Sequence, residues 1–148
     1  MRFIITAAPG DTKPETSAHL QPDVPFDEKM FAAYMKFNED MHRAGVLIAS
    51  EGLTPGGVRA RVGVAHGKRT IVDGPFTETK ELLGGLYLIE VATREEAIAW
   101  AMRCPVGMAS ADVLDIFQMT ALEDLPPEYQ DRIRTIAPSW SSAFTRGK

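Results

Sequence analysis

The segment Leu86 to Ala92, LYLIEVA, is apolar on both of its faces. Side chains alternate along a strand, so Tyr87, Ile89 and Val91 share one face while Leu86 and Leu88 share the other. A strand with this pattern needs cover on both sides. One layer has to come from helices of the same chain. A second copy packed sheet on sheet would supply the other.

The helical layer is legible on either side of this strand. Phe26 to Ala44 repeats Met30, Tyr34, Phe37, Met41 and Ala44 at helical spacing, with Phe31 and Met35 widening the stripe. Asp27 is a good N-cap, Phe26 and Phe31 are placed for a hydrophobic staple, and Gly45 follows as a C′ glycine. After the strand, Thr93 and Glu96 are spaced for a capping box, and the helix they start runs to Arg103, with Pro105 beyond it.

The remaining strands read as Arg2 to Ala8, Val46 to Ser50, Val58 to Ala65, Arg69 to Val72 and Val113 to Met119. In Val58 to Ala65, the residues Val58, Ala60, Val62 and Val64 face one way and Arg59 and Arg61 the other, which predicts a half-exposed antiparallel strand. Residues 10 to 25 are proline-rich and polar and read as a long loop. Thr54-Pro55-Gly56-Gly57 and His66-Gly67-Lys68 are turns. Pro126 and Pro127 start a short helix through Ile136. The order β-α-β-β(-β)-β-α-β predicts an α+β, ferredoxin-like two-layer sandwich. Its sheet is mainly antiparallel and its two helices cover one face.

Composition narrows the partners. The chain has 148 residues, 45% of them hydrophobic, which suits one domain with its own core. A net charge of −4 argues against a nucleic-acid surface, although Arg59, Arg61, Lys68 and Arg69 cluster locally. No stretch is apolar for the ~18 residues that a membrane span needs. The N-terminal apolar run is too short for a signal segment. Cys104 is the single cysteine, so no disulfide forms within the chain and a reducing, cytoplasmic setting is expected. His19, His42 and His66 stand apart from any metal-ligand spacing, and the glycine pairs match no nucleotide-binding pattern, so neither metal nor cofactor is expected.

Asp73 to Pro105, DGPFTETKELLGGLYLIEVATREEAIAWAMRCP, resembles the YCII-related, or DGPF-domain, family, and Phe31 to Pro55 is similar to its helix and second strand. The likeness runs from about Arg2 to Met119. It implies a domain over residues 1–120 and an extension over 121–148 that packs on the domain or on a dimer partner. It also implies a homodimer of the dimeric α/β-barrel type with a pocket between helix and sheet. One related member is a dehydrochlorinase acting on a chlorinated hydroquinone, and some relatives accompany sigma factors. Short members pair a His on the first helix with an Asp just before a Pro after the second. Those positions fall here at Tyr34 or Met35 and on Cys104, so the dyad itself does not carry over.

Two functions therefore stand side by side: a cofactor-free isomerase, lyase or dehydrochlorinase, or a ligand-binding accessory module without turnover. The expected acid–base groups are Asp73 and Glu51. Each also has an ordinary explanation, Asp73 as a turn former and Glu51 as a strand-end carboxylate paired with Arg59 or Arg61. Glu78 and Glu81 are one turn apart and read most simply as solvated. Tyr34, Phe37, Phe76 and Tyr87 could line an aromatic pocket, and an aromatic stripe can equally be core. His19 lies in the long loop, where it could fold over a pocket. Cys104 reads as a small buried residue without an adjacent base.

Overall fold

The computed structural model describes residues 1–9, 27–53, 60–73, 84–106 and 111–144. The expected loop at 10–25, the Thr54–Gly57 turn and the turn after Asp73 lie outside the described residues. The elements are β1 (Arg2–Pro9), α1 (Glu28–Arg43), β2 (Leu47–Gly52), β3 (Ala60–Ala65), β4 (Lys68–Asp73), β5 (Gly85–Glu90), α2 (Arg94–Ala101), β6 (Ala111–Gln118), α3 (Pro127–Ile136) and α4 (Pro138–Phe144). A short 3-10 turn at Leu122–Asp124 precedes α3.

Four strands form one sheet in the order β2-β5-β1-β6, with every neighbouring pair antiparallel. β5 lies between β1 and β2, and β1 lies between β5 and β6. Each strand-helix-strand unit is thus split by a strand of the other, the arrangement expected of a ferredoxin-like sandwich. The inner sheet face carries Phe3, Ile5, Tyr87 and Ile89, which pack with Phe37 and Met41 of α1 and Ala97 and Ala101 of α2. Small alanines on α2 let that helix sit close to the sheet. Among the described residues, no helix is long and apolar enough to cross a membrane.

The helix ends follow local chemistry. Asp27 caps α1, its carboxylate accepting from the N–H groups of Lys29 and Met30 at 2.9 and 3.1 Å. Gly45, at φ +72°, turns the chain out of α1 in the left-handed conformation that suits glycine. Thr93 caps α2 by accepting from Glu96 N–H at 3.1 Å, while the Glu96 carboxylate reaches back to Ala92 N–H at 3.0 Å. This box closes one residue earlier than the standard pattern. α2 ends at Ala101 with Met102 as its cap, short of the expected Arg103. Cys104 precedes Pro105, which disfavours helical backbone there. α4 was not foreseen.

β3 and β4 depart most from expectation. Among the described residues they pair with each other alone, as a separate two-stranded ribbon. The turn residues His66 and Gly67 have φ values of 50° and 74°, the positive angles of a tight hairpin. Val62 and Val64 were expected to form the covered face of a half-exposed strand. Both are exposed, as is Ile71 opposite Val62. Side-chain alternation sets which residues share a face, but among the described residues no layer lies against this face of the ribbon.

Candidate functional site on the inner sheet face

Where α1, β5 and the end of α2 meet, polar groups enter an otherwise apolar core. Tyr87 points inward from β5 because its neighbours in register, Ile5 on β1 and Ser50 on β2, share the inner face. Phe37 of α1 sets its ring edge-on against Tyr87, with centroids 5.5 Å apart and planes at 88°. Trp100 of α2 flanks Phe37 at 6.4 Å. Tyr34, one turn before Phe37 on α1, is half-buried against the same cluster.

A hydrogen-bond chain crosses this junction. Tyr87 Oη is hydrogen-bonded to both the Ser50 side chain and the Cys104 thiol. Burial pushes the Cys104 thiol up to about 11, against the partial pull of its hydrogen bonds from Tyr87 and Val106. Burial raises Tyr87 well above an ordinary phenol, and the negative charge that Cys104 or Tyr34 would carry raises it further. Tyr34 is raised for the same two reasons, burial first and Cys104 second. Each group thus opposes ionisation of the others. At neutral pH all three keep their protons, so the cluster offers hydrogen-bond donors and no base. Asn38, one turn after Tyr34, adds a buried Oδ1 with no donor among the described residues.

The cluster is closed on one side by Arg103. Its guanidinium lies 4.1 Å from the Trp100 ring centroid, and Nη2 bonds Asp40 Oδ2 of α1 at 3.1 Å. Asp40 also takes Lys36 Nζ at 2.8 Å. These bonds, that from Lys36 foremost, hold its carboxyl below the usual range. The end of α2 is thereby tied to α1 directly beside the aromatic cluster.

The expected site residues divide. Tyr34, Phe37 and Tyr87 come together. Glu51 does not join them: it pairs with Leu86 in register, on the outer face, and is exposed, whereas its neighbour Ser50 faces inward. Asp73 ends β4 in the separate ribbon, and its side chain lies outside what is described. His19 and Phe76 also lie outside the described residues. Among the described residues no group of three or more His, Cys, Asp or Glu side chains could hold a metal. Ser50, Trp100, Asn38 and Arg103 were not anticipated. Cys104 was read as merely buried, yet it bonds to Tyr87. The position before Pro105 was the available signal: Cys104 stands there, and it and Tyr34 both interact with Tyr87. Met35, the other alternative for the His position, is exposed.

An antiparallel sheet with two helices on one face, and a polar cluster between them, defines a class of small α+β domain. The chain belongs to the YCII-related domain family, whose model matches residues 1–120. An uncharacterised protein of Rhizobium meliloti (strain 1021) is 35% identical over 75 residues, which is 51% of this chain and 60% of that protein. The alignment thus spans less than two thirds of that relative. Among solved structures, 5-chloro-2-hydroxyhydroquinone dehydrochlorinase from Burkholderia phenoliruptrix AC1100, in complex with 2,5-dihydroxybenzoquinone, aligns over 82% of this chain and 95% of its own. The identity is 12% and the TM-score 0.42, too distant to transfer a residue, substrate or assembly.

Proposed function

We propose that this YCII-family protein is a cofactor-free small-molecule enzyme whose ligand is received at the Tyr34–Tyr87–Cys104 junction. The observation that carries this reading is the convergence of three protonated groups, Tyr87 and Cys104 buried and Tyr34 half-buried, at one spot of an apolar core. Neutral phenol hydroxyls held in a dry site stabilise an oxygen that gains negative charge, as in enolisation, isomerisation or elimination next to a carbonyl. The aromatic wall of Phe37 and Trp100 favours a flat, apolar ligand bearing such an oxygen. Asp73 remains the carboxylate assigned as base. Glu51, on the other sheet face, is left out of this site.

The second reading, binding without turnover, draws on the lack of any carboxylate or imidazole in the described part of the cluster. Thermal shift against a panel of phenols, quinones and enones, followed by a search for turnover of each hit, separates the two. The enzyme reading expects consumption of a hit and its loss in Asp73→Asn. A ligand that binds through Tyr87 and is never consumed would favour the accessory reading.

The same proposal includes a homodimer. Val113 and Phe117 are exposed on the outer face of β6, beside Ile4, Leu86 and Leu88. A second sheet laid on this face would cover them. Sedimentation of the purified chain over a range of concentrations tests it.

A further inference from the structure

We infer that Asn38 is a further binding residue of the same junction, its side-chain carbonyl accepting a hydrogen bond from a second polar group of the ligand, a hydroxyl or an N–H. The inference rests on the ligand reading above and deepens it: besides the oxygen received by the phenols, the ligand carries a proton for Asn38. It starts from an unmet bond. Asn38 Oδ1 is buried and has no donor among the described residues. A carbonyl oxygen stripped of water without a donor weakens the fold, and native interiors hold few such atoms. The helix cannot supply the missing proton. Asn38 lies inside α1, where the backbone N–H groups around it are committed to the helix ladder.

Position ties this atom to the junction. Asn38 stands one turn after Tyr34, so the two side chains are neighbours along α1, with Cβ atoms about 5–6 Å apart. Phe37 beside it and Met41 one turn on are buried in the core. Asp40, about 200° round the helix from Asn38, bonds Arg103 at the end of α2. Asn38 is thus on the flank away from that end, where α1 meets β2, the strand that carries Ser50. The chemistry of the junction is one-sided without it. Tyr34, Ser50, Tyr87 and Cys104 each bring a proton, while Asn38 Oδ1 is an acceptor left over among the described residues. A ligand with an oxygen toward the tyrosines and an O–H or N–H about one helical turn away meets both needs. A purely apolar occupant would leave the carbonyl unmet.

Ligands that differ by one proton test the assignment in the full chain. Isothermal titration compares catechol, resorcinol and hydroquinone, each with its monomethyl ether. In the wild type at least one diol should bind about tenfold or more tightly than its ether. Asn38→Leu should erase that preference by weakening the diol and not the ether. It should also melt no lower than the wild type, because it removes the unmet polar atom. Asn38→Asp keeps an acceptor at the same place and should retain the preference. Equal affinities for every diol and its ether in the wild type, or a preference that survives Asn38→Leu, would overturn the assignment and leave the ligand reading standing. A lower melting temperature in Asn38→Leu would overturn it as well, since the amide would then serve the fold. A folded wild type that binds neither diols nor ethers removes both.

Discussion

β5 and β3 are both six-residue strands that carry aliphatic side chains, yet they end in opposite environments. β5 is flanked by β1 and β2 and roofed by two helices, and Ile89 is 0% exposed. Among the described residues β3 has β4 alone beside it, and Val64 is 74% exposed. The difference lies in what the chain can bring against each face. A period-2 pattern sets the direction of each side chain, while topology decides whether a layer lies over it. The polar chemistry follows the same division. Hydroxyls carried into the β5 core lose solvent and hold their protons, whereas the cations of the ribbon stay in water.

Substitutions on the two strands should widen that contrast. Ile89→Ala opens a cavity in the core and should cost about 3–4 kcal/mol in denaturant unfolding. Val64→Ala, measured on the monomer at low concentration, should change stability by less than about 0.5 kcal/mol. Equal effects would show that the ribbon is covered within a single chain.

Gly85 sharpens the point on β5 itself. A Cβ placed there would lie 2.9 Å from the Glu51 carbonyl oxygen across the β2 pairing, a backbone atom that cannot swing aside. Gly85→Ala should therefore cost roughly 2–3 kcal/mol. Gly63→Ala on the ribbon would place its Cβ 3.6 Å from Thr70 Oγ1, an ordinary contact, and should be nearly neutral.

The pH dependence separates the two regions next. For Cys104 the folded pKa, about 11, lies above the ordinary 9.0. The unfolded chain therefore releases this proton first. The contribution is whole below pH 9 and is lost as pH rises toward 11. About 2 kcal/mol should disappear across this window, with Tyr87 and Tyr34 adding to the loss above the ordinary phenol range. Urea unfolding at a series of alkaline pH values checks this, and Cys104→Ala should flatten the first part of the decline. A small effect is expected at the surface clamp. Arg103→Ala removes the stack on Trp100 and the bond to Asp40 and should lower the melting temperature slightly, partly recovered in Arg103→Lys. A thermal melt of both variants measures it.

Much of the fold was legible because local signals agreed with one another. Asp27, Gly45, Thr93 and Pro127 set helix boundaries through backbone chemistry that needs no tertiary partner. The two-faced apolar pattern of Leu86 to Ala92 marked a strand that lies inside the sheet. The isolation of the ribbon was not legible, since alternation in β3 and β4 does not show whether a third strand joins them. The site was half legible. Tyr34, Phe37 and Tyr87 follow from periodicity, whereas Ser50 and Glu51 differ only by which face the β2–β5 register gives each. A one-residue irregularity between Leu47 and Ala49 shifts that register, and no feature of the sequence marks it. Cys104 acquires its partner Tyr87 from β5, across α2, a meeting that local sequence does not reveal.

The central claim is that a ligand enters at the inner-face junction and not at the exposed carboxylate behind it. Amide chemical-shift mapping during titration with a phenol or quinone taken from the thermal-shift panel addresses it most directly. The largest perturbations are expected at Tyr34, Ser50, Tyr87 and Cys104, and they should collapse in Tyr87→Phe. Perturbations centred on Glu51 and Leu86, unchanged in Tyr87→Phe, would contradict the account.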